Sequence, residues 1–329
     1  VRGRGRLKNP LSRRLLRELR QDIGKYIALF LFLMLTTGFI SGFLVADGSM
    51  VRAYDESFEK YDIESGHFIL EDKLPDETKA KLEAAGVSVH ELFYKEATLD
   101  NENTVRIFKN RGEVNRTDVL EGRLPKNKGE IAADRLYLEN NGLAVGDELA
   151  GLKITGAVAL SDYSALFKNN TDMMLDANKF CVAVVTPETF DEIDENVHLC
   201  YAWLNNDKTL SDEQCRDKAD EISDILAEAC SITELVKRED NQAISFTGED
   251  MGSDKAMMTT LLYVVIVILG FVFAITTRST IEQESGTVGT LLASGYTRGE
   301  LIRHYMAMPV IVTLIAAAIG NVLGYTVFK

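Results

Sequence analysis

The residue types that most often carry catalysis are thinly spread in this chain. Four histidines, His67, His90, His198 and His304, are scattered along 329 residues, and four cysteines, Cys181, Cys200, Cys215 and Cys230, lie in the middle stretch. No pair of them has the spacing of a zinc site. There is no Gly-x(4)-Gly-Lys-Ser/Thr loop to cradle nucleotide phosphates, no His-Glu-x-x-His and no Gly-x-Ser-x-Gly. The expectation is a chain without catalytic, cofactor-binding or metal-binding residues, and any ATPase activity would reside elsewhere. Cys181 sits in the apolar run FCVAVV and reads as a buried thiol. Cys215 and Cys230 lie about 22 Å apart along one expected helix, too far to pair with each other. Other disulfide pairings stay open.

With no chemistry to position, the elements themselves become informative. Tyr26 to Ala46 is an apolar run without a charge, and at 1.5 Å per residue it covers about 32 Å, the depth of a bilayer core. Ala256 to Thr277 and Ala307 to Phe328 are likewise uncharged, the last holding Pro309. The first run is longer than the apolar part of a cleaved signal peptide. Nine basic residues precede it against only Glu18 and Asp22, which puts the N-terminus in the cytoplasm. Leu11–Ile23 has leucines on one helical face and arginines on the other, the pattern of a helix lying at the inner membrane surface.

The resulting organisation is a basic amphipathic segment at 1–25, a span at 26–46, an extracytoplasmic domain at 47–255, a span at 256–277, a cytoplasmic loop at 278–304 and a third span at 305–329. The domain carries about −22 of charge within a chain of net −14. Such an acidic surface argues against nucleic acid. Its pattern is mixed. Met50–Tyr61 extends the first helix; strands are expected at 67–71, 87–99, 104–109, 180–185 and 198–204, and helices at 76–85, 134–140, 187–195 and 211–229. Ser211-x-x-Gln214 offers a capping box at the last helix. The turn-rich stretch near 113–160 predicts a separate β-rich subdomain, with an α+β piece on either side. The fold class is therefore a membrane protein with α-helical spans plus a large α+β extracytoplasmic domain.

The inner segment reads RSTIEQESGTVGTLLASGYTRGELIRHYMAMPVIVTLIAAAIGNVLGY, from Arg278 to Tyr325. Glu284, Gly289, Leu291, Ala293 and Gly295 fit an E-x(4–5)-G-x-L-[RL]-A-x-G stretch, and this resembles the FtsX-like permease domain of the MacB-type ABC transporters, in a long-form Gram-positive subgroup. The run LEGRLP…GEIA…NGLAVGDEL, Leu120 to Leu149, is similar to the extracytoplasmic signature of that family. Where the family often has Arg after the first Leu of the motif, this chain has Leu292.

The resemblance implies a non-catalytic permease subunit at the cell membrane, multi-pass, that couples ATP hydrolysis by a separate cytoplasmic ABC ATPase to movement of its outer domain. Efflux or a cell-envelope task would be the purpose. It implies a second permease copy or permease half as a further partner, with the lipid bilayer around it. The coupling residues it points to are Glu284, Gly286, Gly289, Leu291, Leu292 and Gly295. The three glycines are expected to make tight turns or allow close backbone approach, and the leucines to offer an apolar face. The chain starts at Val1 and stops just after the third span, whereas the family's permease unit has four or more spans, so a fragment of a longer permease is expected. The rival reading is a membrane-anchored extracellular sensor domain. That reading calls for a signalling module after the second span, where the sequence instead has a short loop and a third span.

Overall fold

The protein is described here by a computed structural model covering residue 20 and residues 23–327. The basic segment expected over Leu11–Ile23 lies outside the described residues except for Arg20 and Ile23. Two compact units form. One is the sheet unit, Arg52–Asp250; the other is a helical unit made of the chain on either side of it.

Among the described residues three helices are long and apolar enough to cross a membrane: α1 (Ile23–Lys60), α6 (Gln242–Gln283) and α8 (Arg298–Val327). Each extends well beyond its apolar run, because the flanking residues keep helix-forming composition and no proline or glycine stops them. Pro309 lies inside α8 without ending it. A short helix, α7 (Ser285–Ala293), separates α6 from α8.

In the sheet unit the chain order is β1 (Gly66–Leu70), α2 (Asp76–Ala84), β2 (Val87–Glu91), β3 (Tyr94–Thr98), β4 (Thr104–Lys109), β5 (Thr117–Gly122), β6 (Glu130–Asp134), α3 (Arg135–Asn141), β7 (Glu148–Leu149), β8 (Leu152–Leu160), β9 (Phe180–Val185), α4 (Pro187–Glu192), β10 (Val197–Asn205), α5 (Asp212–Ala227) and β11 (Ile232–Lys237). All eleven strands join one sheet, in the order β11-β1-β10-β3-β4-β9-β6-β8-β5, with β2 paired to β10 and β7 to β8. Two pairings, β4 with β9 and β6 with β8, are parallel.

This corrects the expectation of a separate β-rich subdomain between two α+β pieces. The strands β5 to β8 continue the sheet through β9, and β10 pairs with β1, β2 and β3 from the first piece. The 87–99 stretch also breaks into β2 and β3. Leu92 donates its N–H to Cys200 O at 2.9 Å, so β10 takes β2 and β3 in turn along its length.

Two cores result. Ala219, Ile222 and Leu226 of α5 pack on Phe68, Val87, Val89 and Trp203, each large side chain contributing about 1.5–3 kcal/mol by leaving water. Ser211 and Gln214 form the expected capping box at the start of α5. The second core gathers Ile107, Ile131, Ile154 and the whole of β9. Cys181 and Cys200 are buried, and all four cysteines are free thiols. Gly66 is fixed by close approach: a Cβ there would lie 2.2 Å from the Trp203 ring and 2.6 Å from Val236 O.

Candidate functional site

The motif residues converge on α7 and its two ends. Glu284 stands at the N-cap position without a side-chain capping bond, Ser285–Ala293 form the helix, and Gly295 closes it in the left-handed region at φ 95°. There the N–H of Gly295 reaches Leu292 O at 3.1 Å, and that of Tyr296 reaches Leu291 O at 3.2 Å, which satisfies carbonyls a helix end otherwise leaves bare. The next helix starts with its own cap: Thr297 N–H donates to Glu300 Oε2 at 2.9 Å, while Glu300 N–H donates to Thr297 Oγ1 at 3.3 Å. Backbone hydrogen bonds and caps thus define both ends of α7.

Its middle is unusual. No residue of α7 is buried, although its sequence SGTVGTLLA has no charge at all. Val288, Leu291 and Leu292 fall at helical spacing on one stripe, and Leu292 is 40% exposed. The helix is thus uncharged, with an apolar stripe of two half-buried residues, Val288 and Leu291, and the exposed Leu292. Gly286 and Gly289 are not at turns, as expected from the sequence, but inside this helix, and a Cβ at either would meet nothing within 4 Å. Only Gly295 uses a backbone shape that glycine alone adopts with ease. The two helical glycines instead leave the α7 surface bare.

Side chains tie the segment to its neighbours within the helical unit. The Tyr305 hydroxyl on α8 donates to Glu284 Oε2 at 2.6 Å. Lys25 Nζ on α1 donates to Thr280 Oγ1 near the end of α6 at 3.2 Å. Beneath them α1 and α8 cross at a pair of small-residue motifs, Gly38-x-x-x-Gly42 and Gly320-x-x-x-Gly324. A Cβ on Gly324 would sit 2.4 Å from Gly38 O, and one on Gly320 2.6 Å from Met34 O. Backbones this close gain dispersion along their whole contact, the main attraction left between helices once lipid replaces water. Leu29, Leu33 and Ala316 fill the same seam. These glycine pairs stand in the sequence, but only their meeting across nearly 300 residues gives them a role.

The sheet unit holds a polar cavity lined by, among others, Glu64, His67, Arg106, Asp162, Tyr163 and Lys168. Its charges answer one another. Glu64 Oε1 lies 2.6 Å from His67 Nδ1, and Arg111 Nη1 lies 2.5 Å from Asp162 Oδ1. Arg106 reaches Glu96 Oε1 at 2.6 Å and the Tyr163 hydroxyl oxygen at 2.7 Å. Burial by itself pushes the Glu64 carboxyl up, but the His67 ring and the Asn115 amide outweigh it and hold the acid below its usual range. Burial likewise works against a charged His67, and Glu64 overrides it, so the imidazole holds its proton above the usual histidine range.

Further bonds within the sheet unit join the segment after α1 to the end of β11, and residue 54 to residue 244. Arg238 donates from Nε to Glu64 O at 2.5 Å and from Nη2 to Ile63 O at 2.9 Å, just after α1. Tyr54 of α1 donates to Ile244 O of α6 at 3.0 Å. Among the described residues no group of three His, Cys, Asp or Glu side chains is arranged to hold a metal.

Residues 259–329, which take in most of α6, all of α7 and α8, match the family described as FtsX-like permease C-terminal. No curated protein matches the chain.

Proposed function

We infer that this chain, which belongs to the FtsX-like permease family through residues 259–329, is the membrane-spanning subunit of an ABC transporter, driven by an ATPase carried on another polypeptide. The observation that supports this most is α7: an uncharged, unburied helix with an apolar stripe, set between two membrane-length helices. An ATPase groove that covered Val288, Leu291 and Leu292 would bury the surface the chain itself leaves open. The basic N-terminal segment supports a cytoplasmic side for α7 and an outer side for the sheet unit.

In this reading, closure of the ATPase on nucleotide displaces α7. The α1–α8 crossing carries the displacement within the membrane, and α1 and α6 deliver it to the sheet. The Arg238–Glu64 network and the Tyr54–Ile244 bond make the helix roots move with the sheet instead of sliding past it. No substrate path through the spans is required. The work is mechanical, and efflux or an envelope task is its purpose.

Two experiments test this. A membrane-impermeant thiol reagent applied to intact cells, with the native cysteines replaced by alanine, should label Ser211→Cys and leave Thr280→Cys unreacted; labelling of the second inverts the topology and removes the coupling role. Purified chain should hydrolyse no ATP alone, and should associate with its cognate ATPase and change that enzyme's turnover.

A further inference from the structure

Glu284 is the one charged residue of the motif, and as a motif residue it reads most simply as a contact to the ATPase. The structure places it differently. Its side chain is half-buried, and its Oε2 accepts the Tyr305 hydroxyl proton at 2.6 Å, a short contact of the kind an ionised acceptor makes. Tyr305 is 9% exposed and stands on the first turns of α8, beside the buried Leu301 and His304. Its ring packs edge-on against His304, centroids 5.2 Å apart. The hydroxyl is thus presented from a packed position, while α7, immediately after Glu284, has no buried residue of its own.

We propose that Tyr305 and Glu284 form a latch that fixes the N-terminal end of α7 to α8, making Tyr305 a positioning residue of coupling and Glu284 its partner within the chain. The role in coupling rests on the function proposed above; the latch itself does not. A push on α7 reaches α8 through this bond, close to the start of the helix that then crosses α1 at Gly320 and Gly324. At the other end of α7, Gly295 closes the helix in the left-handed region and donates its N–H to Leu292 O at 3.1 Å. With the latch intact the N-terminal end of α7 moves with α8; without it that end follows α6, to which Glu284 N–H joins it through Thr280 O at 3.1 Å, and less of the push reaches α8.

The test uses the full chain in lipid nanodiscs. Hydrogen–deuterium exchange is followed at the amides of residues 286–293, with Tyr305→Phe, which keeps the packed ring and deletes only the hydroxyl. Exchange there should rise about tenfold, the scale expected for losing a hydrogen bond to a charged group. Glu284→Gln, which still offers a carbonyl oxygen to Tyr305, should raise it only about threefold. Coupled ATP turnover with the cognate ATPase should fall in the same order, with co-purification unchanged. Exchange in Tyr305→Phe equal to wild type overturns the latch, whatever the coupling result. Faster exchange with full turnover overturns the positioning role, and co-purification then judges the docking reading separately.

Discussion

Trp203 in the sheet unit is 1% exposed, while Ile275 in α6 is 68% exposed. The contrast runs through both units. The sheet unit closes on itself: β9 is buried at every position, and interior charges pair with side chains, as Arg111 with Asp162, or with backbone groups, as Lys95 with Phe190 O. In the helical unit only 6% of the most apolar stretch of α6 is buried. The sheet satisfies the hydrophobic effect with its own residues, whereas the helices leave theirs for lipid and for partners. Within the helical unit the difference repeats: α1 and α8 use each other, α6 joins their seam only through the partly buried Leu269 and Phe273, and α7 has no buried residue. Residues that matter for stability should therefore cluster in the sheet unit and along the α1–α8 seam, and residues that matter for coupling should cost little when changed.

Substitutions can break that comparison. The largest effect is expected from Arg111→Leu, which leaves Asp162 buried beside an apolar chain; losing one member of a buried pair costs about 3–5 kcal/mol. Trp203 is the chain's single tryptophan, so its emission during denaturation of the intact chain reports this unit selectively. Gly66→Ala should destabilise the same unit by about 1–3 kcal/mol or more, because neither the Trp203 ring nor the Val236 carbonyl can move out of the new Cβ's way. Gly324→Ala should weaken the α1–α8 pair by a similar amount, seen as faster proteolysis of the spans with the Trp203 transition unmoved. A shifted Trp203 midpoint in Gly324→Ala would erase the distinction between the units.

Acidity sharpens it. His67 holds its proton above the ordinary histidine value of about 6.5 when folded, so its stabilisation is complete below that pH and is lost as pH rises through the folded value. Glu64 titrates below 4.5 in the folded chain, so its contribution is present above that pH and is lost as pH falls through the folded value. The Trp203 midpoint should therefore decline on both sides of mildly acidic pH. His67→Gln should flatten the alkaline decline; an unchanged alkaline limb contradicts the pairing. The smallest effect is expected at Gly289→Ala, where the new methyl meets nothing and the helix gains about 0.5–1 kcal/mol.

Much of this architecture was legible in the sequence, and the pattern of success is physical. β9 was read at Phe180–Val185, its observed bounds, because a short apolar run between turns leaves one choice. The α5 start was legible because a capping box is local. What escaped depended on distant partners. The break between β2 and β3 is set by β10, more than a hundred residues on. β11 has no turn-bounded apolar run and becomes a strand by pairing with β1. The inner motif stands out as a segment; of the tight turns or close approach its three glycines predict, Gly295 makes a turn, whereas Gly286 and Gly289 do neither and lie inside α7, because glycine's type alone does not say what its neighbours will build. Tyr305 carried no signal at all, as its hydroxyl gains meaning only beside Glu284.

The most direct measurement is coupled ATP turnover in the reconstituted complex of the intact chain, carrying Leu291→Glu and Leu292→Glu, with its cognate ATPase. Two charges in the α7 stripe should leave the Trp203 transition and the membrane insertion as in the wild type, because these leucines support no core of the chain. A docked stripe predicts at least about a tenfold loss of ATPase association, the scale of about 1.4 kcal/mol, with coupling falling alongside. Full association and full turnover would contradict the account and return α7 to a passive link between two spans.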